Sequence, residues 1–64
     1  MMMKILVGNN IIIGSKVFHS RFGEGIVLDI ENDNNYDYAI IQFEDSIHKI
    51  QLINGQNTNL SIIK

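Results

Sequence analysis

The chain has 64 residues, no cysteine, and a formal net charge of −2 from seven acids against five bases. That length allows one domain, the missing cysteines exclude disulfides and cysteine-held zinc, and no basic run advertises phosphate-driven binding to DNA or RNA. A chain this short buries only about 60% of its unfolded surface, so stability rests on the 45% of residues that are hydrophobic.

The opening "MMMKILVGNN" carries one lysine and a very short apolar run. It lacks both the core length and the small-residue cleavage site of a signal peptide. No segment approaches the roughly 18 apolar residues that span a bilayer. A soluble, cytoplasmic protein is expected. Residues 3–7, "MKILV", read as an extra strand or as an N-terminal extension, and "GNN" after them is a turn signal.

Helical spacing is weak, whereas β-branched residues and period-two alternation dominate. "IIIGSKVFH" reads as extended, with a bend at Gly14. Residues 25–31, "GIVLDIE", form a strand, "NDNN" is a polar turn, and "YDYAIIQF" returns as the second arm of a hairpin. "EDS" turns again, "IHKIQLI" makes the next strand, "NGQN" is a further turn, and "NLSII" closes the chain.

Alternation assigns faces. Ala39, Ile41 and Phe43 share one side, against Tyr38, Ile40 and Gln42; Ile50 and Leu52 oppose Lys49 and Gln51. "GIVLDI" is apolar on both parities, Ile26, Leu28 and Ile30 against Val27, which predicts a bulge or a bent strand. Gly23 and Gly25, flanking Glu24, mark a corner of the kind at which small barrels bend. The expected fold is all-β, a small barrel of about five strands over residues 11–64, with residues 1–10 outside it.

"GSKVFHSRFGEGIV" followed by "AIIQF" resembles the Tudor-like domain at the C-terminus of UvrD/PcrA-type helicases. Gly14, Val17, His19, Phe22, Gly23, Gly25 and Val27 stand at that family's spacing. Ser15 replaces an acid usual in the family, and the turn before "IHKIQLI" lacks its glycine. A family lysine in that turn aligns with Lys49 or, with one gap, with His48. The chain has no Walker-type loop, so the resemblance implies only the accessory module. It implies an SH3-like barrel, similar to the polymerase-binding domain of CarD-type regulators, that docks on RNA polymerase and links DNA repair to transcription.

Catalysis is not expected. Ser20 adjoins His19, but neighbours on a strand point to opposite faces, and a nucleophile needs its base within hydrogen-bond reach. "GEGIVL" lacks the third glycine and the following helix of a dinucleotide loop. His19 and His48 sit in no ligand-spaced cluster, so neither a metal nor another cofactor is expected. His19 reads as a strand-end residue whose ring nitrogen bonds a backbone carbonyl. Phe22 and Phe43 read as core, which leaves Phe18, Tyr36 and Tyr38 too spread for an aromatic cage.

The expected function is a protein-interaction module whose contact residues are Tyr38, Ile40, His48, Lys49 and Gln51, with Arg21 and Glu24 adding polar contacts at the rim. Two alternatives stand beside it. One is a nucleic-acid-binding barrel using Arg21, Lys16 and Lys49 with Phe18 or Tyr38 as stacking platforms. The other is a homo-oligomeric structural or adaptor protein.

Overall fold

The computed structural model describes residues 11–63; the expectation for residues 3–7 lies outside them. Five strands follow in order: β1 Lys16–His19, β2 Gly23–Asp33, β3 Tyr36–Phe43, β4 Ile47–Leu52 and β5 Leu60–Ile62. They form one sheet in the order β4-β3-β2-β1-β5, with every pairing antiparallel. There is no helix among the described residues, and so none long and apolar enough to cross a membrane. The fold is the small all-β, barrel-like one that the alternation predicts.

The turns follow side-chain chemistry. Between β2 and β3 the polar turn narrows to two residues, and Asn34 takes the left-handed conformation (φ 56°) that asparagine tolerates. After β4, Asn54 and Gly55 are both left-handed, at φ 55° and 79°. Ile53 and Gln56 exchange backbone hydrogen bonds around them, as in the favoured two-residue hairpin. The backbone N–H of Ile11 donates to the carbonyl of Gly55 at 3.0 Å, tying the start of the described chain to this turn.

β2 is the element that bends. Val27 pairs with Ile41 and Asp29 with Ile40, so Leu28 is an extra residue with no partner of its own. This bulge reconciles the two apolar parities. Val27 faces inward before it and Ile30 faces inward after it, opposite Ala39. Directly opposed residues share a face, so the inner side collects Val17, Val27, Ala39, Ile41, Phe43, Leu52 and Leu60 into one buried core together with Ile11. Phe22, Ile30, Ile50 and Ile62 pack against its margin.

Candidate functional site

On the outer side, β3 and β4 place four of the expected contact residues together. Tyr38 is directly opposite Gln51, and Ile40 is opposite Lys49. The next strand extends these rows, with Glu31 opposite Tyr38 and Asp29 opposite Ile40. The Lys49 ammonium lies 3.2 Å from the Glu31 carboxylate and 4.8 Å from the centre of the Tyr38 ring. An acid and an aromatic face thus hold one cation from two sides, within the range of a cation–π contact. Tyr38 and Ile40 are half-buried, and Lys49 and Gln51 are exposed.

The other three expected residues separate from this group. His48 shares the parity of Ile50 and Leu52, and its pairing with Ile41 puts it on the inner face. There it stacks on Phe22 at 3.9 Å between ring centres, 10° from parallel. It is half-buried at the core margin, on the opposite face from Tyr38, Ile40, Lys49 and Gln51. Glu24 is on the outer face but at the opposite end of β2 from Glu31, across from Phe18. Arg21 is exposed in the turn between β1 and β2.

His19 ends β1, the strand-end position expected of it, and is buried. Its hydrogen bonding differs from the expectation of a backbone carbonyl partner. Nδ1 accepts the backbone N–H of Arg21 at 3.0 Å and that of Phe22 at 3.3 Å. An accepting Nδ1 leaves the proton of the neutral ring on Nε2. Burial first, then the neighbouring His48 and Arg21 charges, lower its pKa from the usual value. The ring also stacks on Phe22 at 4.6 Å. His19 is thus the structural clamp of the β1–β2 turn. No three of His, Cys, Asp and Glu gather in metal-binding geometry among the described residues.

Glu31, the partner of Lys49, is the residue that sequence reasoning missed. The signal lay in the bulge. A bulge at Leu28 shifts Asp29, Glu31 and Asp33 to the outer parity, beside the outward residues of β3. Lys16 and Lys49 do share the outer face, but on β1 and β4, with β2 and its acids between them. Over β2 near Glu24 lies a shallow depression of about 260 Å³ lined by Ile26, Gln42 and Phe43, with Lys16, Glu24 and Glu44 around it. Phe18, Tyr36 and Tyr38 stand on separate rungs of the sheet and form no common cage. No protein family, curated protein or solved structure matches this chain.

Proposed function

We propose that the protein is a non-catalytic module that docks on a protein partner through the outer face of β3 and β4. The pattern from Gly14 to Val27 resembles that of the Tudor-like helicase domain, and on that resemblance the proposed partner is RNA polymerase. The observation that carries the reading is the Tyr38–Gln51 and Ile40–Lys49 pairing, with Lys49 already fixed by Glu31 and Tyr38. A rigid tyrosine beside an isoleucine on a sheet offers contact area at low ordering cost, and tyrosine is enriched at the energetic centres of interfaces. The acids of β2 between Lys16 and Lys49 favour a protein over a nucleic acid, whose phosphates they would repel.

The test is binding of the full chain to purified bacterial RNA polymerase core enzyme. The wild type should bind, and Tyr38→Ala and Ile40→Ala should each weaken binding by about tenfold or more, the loss of an interface hot spot. Absence of wild-type binding would remove polymerase as the partner. Binding unchanged in both variants would remove this face.

A further inference from the structure

This inference rests on the docking reading above and specifies the partner's chemistry. Four carboxylates of β2, those of Glu24, Asp29, Glu31 and Asp33, are exposed. The bulge makes them a single outer column. With regular alternation, Asp29, Glu31 and Asp33 would share the parity of Val27 and face the core. Exposed apolar side chains flank the Glu24 end of this column, between Glu24 and Asp29: Phe18 on β1 is 47% exposed, Ile26 40% and Leu28 47%. The face thus pairs exposed hydrocarbon with an excess of negative charge, and of its two lysines Lys49 is already engaged by Glu31.

The Lys49 contact shows how the face holds a cation: carboxylate on the head, aromatic ring alongside. The depression at the other end of β2 offers a related setting, with Ile26 in its lining, Glu24 and Glu44 beside it and Lys16 at its edge. Lysine and arginine fit such surfaces because their methylene stems cover hydrocarbon while their heads stay charged and solvated. Asp29, Glu31 and Asp33 recur at every second residue, about 7 Å apart along a strand. An extended segment with basic residues at alternate positions has the same spacing.

We propose that the outer face of β2 receives an extended protein segment bearing lysine or arginine at alternate positions. The stems lie over Phe18, Ile26 and Leu28, and the heads meet the β2 carboxylates. One head enters the depression beside Glu24 and Glu44.

The experiment titrates the ¹⁵N-labelled full chain with an end-blocked nine-residue peptide of alternating lysine and threonine. Two controls are the same peptide with glutamate for lysine and a 12-nucleotide thymidine strand. The lysine peptide should shift amides of β2 and its neighbours, and its affinity should fall at least tenfold between 50 and 300 mM salt, as charge pairing requires. The variant Asp29→Asn, Glu31→Gln, Asp33→Asn should lose tenfold or more while keeping a dispersed amide spectrum. Should that variant not fold, Glu24→Gln with Glu44→Gln should reduce affinity and abolish the shifts around Ile26. Equal binding by the glutamate peptide or the DNA, or unchanged binding by the variants, would overturn the proposal. Polymerase binding provides the separation. A chain that binds the lysine peptide but not polymerase retains this surface and loses the named partner. Polymerase binding that is indifferent to the triple variant retains the partner and sinks this inference.

Discussion

The Phe22 ring stacks on His48 at 3.9 Å and also on His19 at 4.6 Å, so one half-buried phenylalanine links the β1–β2 turn to β4. His19 is a titratable part of this arrangement. Its Nδ1 accepts two backbone N–H groups, and a proton there would turn that acceptor into a donor facing two other donors. Burial, reinforced by His48 and Arg21, lowers its folded pKa. The unfolded chain, with an ordinary histidine pKa of about 6.5, takes up the proton first. Stability is therefore fully present above about pH 6.5 and falls as pH drops from there through the folded pKa. Urea unfolding between pH 8 and 5 should show this loss in the wild type. His19→Asn keeps an acceptor on a short side chain but cannot titrate, and should flatten the profile. Parallel profiles for the two proteins would refute the role of His19.

Gly23 and Gly25 are required for different reasons, and substitution separates them. Gly23 has φ +85° with open space where a Cβ would go, so alanine there meets only backbone strain, about 1–2 kcal/mol. Gly25 has no such φ, but its Cβ would lie 2.7 Å from Ile41 Cγ2, 2.8 Å from Phe43 Cδ1 and 2.9 Å from the carbonyl oxygen of Gln42. The last is backbone and cannot swing aside. Gly25→Ala should cost about 1–3 kcal/mol, at the upper end or beyond, by overpacking the core. Equilibrium denaturation should rank Gly25→Ala as the more damaging. The reverse order would mean that β3 yields to the added methyl.

Much of this architecture was legible in the chain because alternation is a strong signal on a one-sided sheet. The strand Tyr36–Phe43 falls on the residues that the pattern of Ala39, Ile41 and Phe43 marks out. Ile26, Val27, Leu28 and Ile30 signalled the irregularity in β2 before its position was visible. His48 shows where resemblance and periodicity disagree. Its parity with Ile50 places it inside, whereas the family lysine drew it toward Lys49, and the structure follows parity. The Glu31–Lys49 contact was not legible. It joins β2 to β4 across the intervening β3, and so depends on two registers and a bulge that local spacing does not encode. The clamp by His19 was half legible: the strand-end position and a ring-to-backbone hydrogen bond were, but the donor and acceptor roles depend on how the turn closes.

Deleting Leu28 tests the bulge directly. Val27 already pairs with Ile41, Asp29 with Ile40 and Ile30 with Ala39. Removing the unpartnered residue keeps every pairing and every face, and costs only the local bend. Deleting Ile30 instead turns Glu31 inward and reverses the strand beyond it. The Leu28 deletion should retain a dispersed amide spectrum with a lowered midpoint, and the Ile30 deletion should not fold. Comparable collapse of both would show that the bend itself is indispensable to the closure of the sheet around its core.

Lys49 and Glu31 are suited to functional tests because their contact contributes little to folding. Their side chains are 52% and 50% exposed, and exposed ion pairs are worth about 0.2–1 kcal/mol, less as salt rises. Lys49→Met should therefore change the urea midpoint slightly, as should Glu31→Gln, and the double variant should differ from the sum of the two by less than about 1 kcal/mol. Ile41 is the contrast, fully buried on the inner face of the same strand that carries Tyr38 and Ile40. Ile41→Ala leaves a cavity expected to cost about 2–5 kcal/mol, enough to unfold a chain of this size for much of the time. A loss of that order for Lys49→Met would mean that the lysine stem, and not only its charge, seals the sheet. The outer face would then be part of the core's packing instead of a surface left available to a partner.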